Sequence, residues 1–448
     1  MARARVARNT AVVLASLAVV LVLSGLIGAG VLDRYARDGR VDWRSAIGAL
    51  AAYWILLFTG VWLVPLALRH RRAAALCACG TMAAFGIAEV GARRFVPGST
   101  EISAAAGGFQ SREFHHLYPP HVRRYMGRVG GTPIFLETNE DGLRTAYSRD
   151  EFRRHDHRVI VLGDSFTFGL GVASEEAFPA RMEARLRDEL DGTVAVLNAG
   201  VISYSPFLQK LLLQKKLLEY RPTVVVLVLD VTDIGDDDEY MSLARRSGDT
   251  WEFPFEDAAP VRYYGAAFEL VRLYVRRFYL ALTYPLRLAG YPIGRRADYH
   301  DFEITINGVQ ERNRFFVYRH PLAHTKPYFD RTMANIDDIA ALAAGVGARF
   351  ALAVSPRFHH WNANECPDNW ERDQYGLAEP YQFEYFRYFD EASRAYPIIN
   401  LLHDFRATDR FPLVFPDDPH WNAAGHAFAA EAIVKHLSRL ELAQAGAR

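Results

Sequence analysis

Residues 158–169 read Arg158-Val159-Ile160-Val161-Leu162-Gly163-Asp164-Ser165-Phe166-Thr167-Phe168-Gly169. The apolar run is short, β-branched and bounded by a polar residue and a glycine, the pattern of a strand buried on both faces. Gly163 permits a sharp exit, so Ser165 falls just beyond the carboxyl end of that strand, where open parallel sheets bind their ligands. Four more runs have the same character: Thr193–Asn198, Thr223–Asp230, Arg349–Ser355 and Ile398–Leu401. Helical patterns lie between them at about Glu176–Leu190, Pro206–Tyr220, Tyr328–Ala344 and Pro380–Ala395, with a last one at about Ala423–Leu440. Strands alternating with helices predict an α/β domain over 151–448, a doubly wound, mostly parallel five-stranded sheet in a three-layer arrangement. The interval from about 235 to 325 breaks the rhythm and reads as a long insertion, its middle dense in aromatic residues and arginines, a composition suited to a headgroup boundary.

A serine hydroxyl is a poor nucleophile until a base takes its proton, so the seat of Ser165 calls for a histidine elsewhere. The stretch Phe415-Pro416-Asp417-Asp418-Pro419-His420-Trp421-Asn422-Ala423-Ala424-Gly425-His426 supplies one. An acid two or three residues before His420, on a loop entering a helix, can reach back to its Nδ1 and fix the tautomer, and both Asp417 and Asp418 qualify. Asp164 and Ser165 also suit a helix cap, and His426 reads as a packed or surface histidine. His359-His360 with Glu365 and Cys366 does not complete a metal-ligand set at recognised spacing. Asp230, Asp233 and Asp236–Asp238 lack the glycine and terminal glutamate of a calcium loop and read as an acidic surface turn. No GxxxxGK[ST] or GxGxxG occurs, so nucleotide use is not indicated, and with no metal-ligand set either no cofactor is expected.

Three apolar stretches precede the domain, at about 10–32, 46–68 and 73–92, and read as transmembrane helices of a membrane anchor over 1–95. The first is too long for the apolar core of a cleaved signal peptide. Six arginines lie on each side of the three spans, so charge bias is balanced. The short N-terminus then favours a cytoplasmic start and an extracytoplasmic catalytic domain, with 96–150 as linker and lead-in. The chain of 448 residues carries 52 basic and 52 acidic side chains, which leaves no net field to hold a polyanion and argues against nucleic acid as a partner. Half of it is hydrophobic, which excludes disorder, and three cysteines make no disulfide framework.

Gly163-Asp164-Ser165, Asn198-Ala199-Gly200 at the end of the second strand and Asp417-Asp418-Pro419-His420-Trp421-Asn422, in that order, resemble three blocks of the SGNH/GDSL hydrolases. Asn139-Glu140-Asp141-Gly142-Leu143-Arg144 resembles the lead-in of membrane-anchored bacterial members. The resemblance implies Ser165 as nucleophile, His420 as base, and an oxyanion hole built from the backbone N–H groups of Ser165 and Gly200. It implies Asp417 as orienter on the DxxH spacing, which is preferred, or Asp418 on the DxHWN spacing. A third block usually supplies an asparagine amide, and here Thr232 stands at that place. The function implied is a membrane-anchored serine esterase that removes O-acyl groups from a glycan or lipid through an acyl-enzyme. The alternatives are an O-acyltransferase modifying an envelope polysaccharide with a membrane acyl-transfer partner, and a non-catalytic glycan-binding scaffold.

Overall fold

The computed structural model describes residues 110–254 and 304–440, apart from 130–131, 249, 312–313, 363, 368, 370–374, 376 and 378–380. It also describes 36–37, 40–41, Arg69 and Ile87. The chain divides into two compact units, 1–96 with 265–296 and 97–264 with 297–448, and almost all described residues belong to the second. Among the described residues no helix is long and apolar enough to cross a membrane. The three expected spans fall outside the described residues, save for Ile87.

The sheet has five parallel strands, β1 His157–Gly163, β2 Val194–Gly200, β3 Val224–Leu229, β4 Arg349–Val354 and β5 Ile398–Asn400. They lie in the order β5-β4-β3-β1-β2. Gly163 pairs with Gly200 across β1 and β2, Leu162 with Leu227 across β1 and β3, and Val354 with Leu229 across β4 and β3. Strand order reverses between β1 and β3. Such a reversal leaves a crevice at the carboxyl ends of the two strands, the ligand position in this class of fold.

Every residue of β2 and β3 is buried, as helices on both faces require. Helix α1 Phe178–Glu189 packs with α5 Ala423–Arg439 and on β2. Helices α2 Pro206–Lys215, α3 Asp233–Leu243 and α4 Leu322–Gly345 pack with one another. Steps to opposite sides of β1, each by a right-handed crossover, place α1 and α2 on opposite faces.

Helix α3 corrects the sequence reading, which placed its acidic residues on a surface turn. Asp233, Asp236 and Asp237 are buried. Asp236 and Asp237 have partners remote in sequence. Arg314 Nη1 lies 3.0 Å from Asp236 Oδ2, and Asn335 Nδ2 donates to Asp237 Oδ2 at 2.9 Å. Asp237 Oδ1 also accepts the Phe207 N–H at 2.7 Å, satisfying an otherwise orphaned donor at the start of α2. The lead-in segment is likewise part of the body, since Phe114, Tyr118, Leu136 and Leu143 are buried in the same core as the sheet.

Candidate active site

Ser165 opens a single helical turn, Ser165–Phe168, directly after β1. Asp164 caps that turn, its Oδ1 accepting the Phe166 N–H at 2.8 Å. The turn is built against glycines. A Cβ on Gly163 would stand 2.0 Å from Thr167 Oγ1, and one on Gly200 would stand 2.3 Å from Phe168 N, so neither position admits a side chain without moving the nucleophile. Arg144 of the lead-in holds the other end of the turn. Its guanidinium donates to Phe168 O and Gly169 O at 2.7 Å each and to Val172 O at 2.7 Å.

His420 reaches Ser165 from the loop before α5. Its Nε2 lies 2.8 Å from Ser165 Oγ, and its Nδ1 lies 2.5 Å from Asp418 Oδ1. Asp418 Oδ1 also accepts the His420 backbone N–H at 2.9 Å. Three anchors fix the loop. Phe415 N donates to His420 O, Val414 and Trp421 form an antiparallel bridge, and Asn422 donates to Pro412 O and Val414 O while its Oδ1 caps α5 through Ala424 N and Gly425 N. Trp421 is fully buried edge-on against Phe166. Ser165 and Asp418 are partly exposed, whereas His420 is buried. Asp417, favoured by the DxxH spacing, is exposed and is not the residue on His420. The bond from Asp418 to the histidine's own N–H bends the chain so that only the acid two residues back meets Nδ1. His426 is packed inside, its Nδ1 accepting the Phe178 N–H at 3.2 Å, and burial pushes its pKa down to about 3.

Two of the three expected oxyanion donors are engaged elsewhere. The Gly200 N–H donates to Asn198 Oδ1 at 3.0 Å. The Thr232 hydroxyl donates to Asp230 Oδ2 at 2.7 Å, and its N–H reaches the same oxygen at 3.1 Å. The reason for the second is a charge that the sequence did not disclose. Asp230 and Arg357, at the carboxyl ends of β3 and β4, form a buried pair with Arg357 Nη2 2.8 Å from Asp230 Oδ2 and Arg357 Nε 3.1 Å from Oδ1. Burial opposes ionisation of Asp230, but the guanidinium and the Thr232 bonds outweigh it and hold the carboxyl below the ordinary range.

The neighbouring carboxyls go the other way. Burial first, and then the charge of Asp230, raises Asp164, with the Phe166 N–H, His420 and Arg357 pulling against them. Asp233 is raised well above its ordinary value by burial and by Asp164, Asp230 and Asp236. Its Oδ2 accepts the Asp230 N–H at 3.1 Å, while its Oδ1 has no partner. One arginine among three buried carboxyls thus lowers the nearest, while burial and that neighbour's charge raise the other two. Arg357 also lies over the Phe166 ring, 5.6 Å from its centroid, which ties this cluster to the residue after Ser165.

No family model and no curated protein matches the chain. Among solved structures it is similar to TesA at 16% identity and TM-score 0.34, covering 63% of this chain and 98% of that one. It is similar to the lipase/acylhydrolase from Enterococcus faecalis at 14% identity and TM-score 0.32, covering 63% and 96%. It is also similar to an acetyl xylan esterase at 16% identity and TM-score 0.31, covering 62% and 98%. The site itself decides more than these distant likenesses. The five-stranded parallel sheet is the one that the resemblance to the SGNH/GDSL hydrolases implies, with Ser165 beyond the carboxyl end of β1 and Asp418, His420 and Ser165 in one chain of hydrogen bonds.

Proposed function

We propose that the protein is a serine esterase that removes O-acyl groups from a glycan or lipid through an acyl-enzyme on Ser165. The observation that carries this reading is the relay Asp418 Oδ1 to His420 Nδ1 to Ser165 Oγ, with both heavy-atom distances inside hydrogen-bond range. In the first step Ser165 Oγ attacks the ester carbonyl carbon while its proton passes to His420 Nε2, and Asp418 supports the imidazolium. The Ser165 N–H donates to the tetrahedral oxyanion. Collapse breaks the bond to the alcohol, which leaves with the proton from His420. Water then attacks the acyl carbon while giving a proton to His420, and collapse breaks the bond to Ser165 Oγ, which takes that proton back as the free acid departs. A polysaccharide hydroxyl in place of that water would make the protein an O-acyltransferase with no change in the triad. In the same proposal residues 1–95 anchor the domain in a membrane, with the catalytic part outside the cytoplasm.

Incubation of the full chain with an activated acetyl ester tests the reading. It predicts an acetyl adduct on the Ser165 peptide and release of acid. Adduct decay that accelerates only with an added glycan, which becomes acylated, would mark the transferase. Absence of both adduct and turnover would leave the scaffold reading.

A further inference from the structure

His115 and His116, in the lead-in segment, belong to no motif in the sequence, yet the structure gives them a directional task. His116 Nε2 lies 2.7 Å from Ile202 O, and His116 Nδ1 lies 2.7 Å from His115 Nδ1. A carbonyl oxygen only accepts, so His116 Nε2 carries the hydrogen. A neutral imidazole with a proton on Nε2 offers Nδ1 as an acceptor, which makes His115 Nδ1 the donor across the pair. With both rings neutral, the bonds run one way, from His115 through His116 to Ile202.

Ile202 sits in the loop Val201–Ser205, which joins β2 to α2. Val201 N donates to Gly163 O at 3.1 Å, two residues before Ser165. Ser203 in this loop has φ +63°, a left-handed conformation that strains a non-glycine residue and persists only where neighbours impose it. The neighbours are identifiable. Tyr240 OH donates to Ser203 O at 2.8 Å, Tyr204 N to Val201 O at 3.0 Å, and Tyr204 OH to His116 O at 2.6 Å. His115, itself buried with φ 61°, packs its ring on Tyr240 and Phe253. The only side chain among these that bonds the Ile202 carbonyl is His116.

We propose that His115 and His116 are positioning residues, whose one-way hydrogen-bond chain to Ile202 O holds the Val201–Ser205 loop in its left-handed form against the Gly163–Ser165 turn. The catalytic consequence rests on the reading of Ser165 as a nucleophile. The positional claim does not.

Two substitutions separate donor from acceptor. His116→Gln places an amide N–H near the position of Nε2 and keeps a donor for Ile202 O. His116→Asn keeps an acceptor near Nδ1 and loses that donor. The loss of one hydrogen bond corresponds to about tenfold. His116→Asn is expected to lower kcat toward an acyl ester roughly tenfold with KM unmoved, and to speed amide exchange at 201–205 by a similar factor, while His116→Gln stays close to wild type in both. Nitrogen-15 spectra of the wild-type imidazoles, which need no variant, are expected to show His116 protonated on Nε2 and His115 on Nδ1. Equal kcat and equal exchange in the two variants, or a His116 Nε2 without its proton, would overturn the proposal. A wild type inert toward acyl esters and fluorophosphonates would instead remove the esterase reading, and exchange and tautomer would still decide the clamp.

Discussion

Asp418 binds His420 twice through one oxygen, Oδ1, at Nδ1 and at the backbone N–H. The double attachment makes the acid and the imidazole one rigid unit, and it fixes Nε2 as the atom that faces Ser165.

Asp418→Asn is expected to lower kcat about 10⁴-fold, because an amide N–H facing Nδ1 imposes the wrong tautomer. Asp417→Asn, at an exposed carboxylate, is expected to leave turnover within a small factor of wild type. Steady-state kinetics of the two variants on one acyl ester decide it. Comparable small losses in both would mean that His420 acts without an acid partner.

The sheet was legible in the sequence because its signal is local. Val159–Leu162 and Val224–Leu229 are apolar over their whole length and mostly β-branched, and strands covered on both faces leave no alternation to misread. Ser165 and His420 were legible for a related reason, since each sits in a short motif at an element's end. Helix α3 was not legible, because what makes Asp236 and Asp237 tolerable inside are Arg314 and Asn335, about 80 and 100 residues away, and no local pattern records them. Arg357 was missed on the same account. Its partner Asp230 follows a different strand, and that pairing is also why Thr232, placed as expected in the chain, donates its proton to Asp230. The choice of Asp418 over Asp417 turned on a backbone bend that spacing alone does not encode.

Thr232→Val removes a bond to Asp230 and no donor to the substrate. It is expected to cost about 1 kcal/mol of stability, with kcat changed far less than the 10²–10³ expected for a lost oxyanion donor. Urea unfolding and turnover measured on the same preparation test this. A hundredfold fall in kcat at unchanged stability would return Thr232 to the oxyanion hole.

Arg357→Met leaves Asp230 buried without its cation and is expected to destabilise the protein by about 3–5 kcal/mol. Arg357→Met combined with Asp230→Asn removes both charges and is expected to recover most of that loss. Thermal and urea unfolding of the single and double variants measure the coupling. Additive losses would show that the pair is not the unit described.

Asp164 ties stability to pH with a definite sign. A carboxyl whose pKa is raised by folding keeps its proton in the folded state after the unfolded chain has released it, so its contribution declines as pH rises from about 4. That decline should end near pH 7, where the folded group ionises. Asp164→Asn keeps an acceptor for the Phe166 N–H but does not titrate. The variant is expected to gain stability relative to wild type across this interval and to run parallel above it. Urea unfolding at pH 4 to 8 measures the difference, and parallel curves over the whole range would contradict the raised pKa.

Fluorophosphonate labelling of the full chain, with peptide mass mapping, tests the nucleophile most directly, since only a serine activated by a neighbouring base reacts readily. The account predicts a single modified serine, Ser165, with labelling abolished in Ser165→Ala and strongly slowed in His420→Ala. Undiminished labelling of Ser165→Ala, or a modified serine elsewhere in the chain, would contradict it.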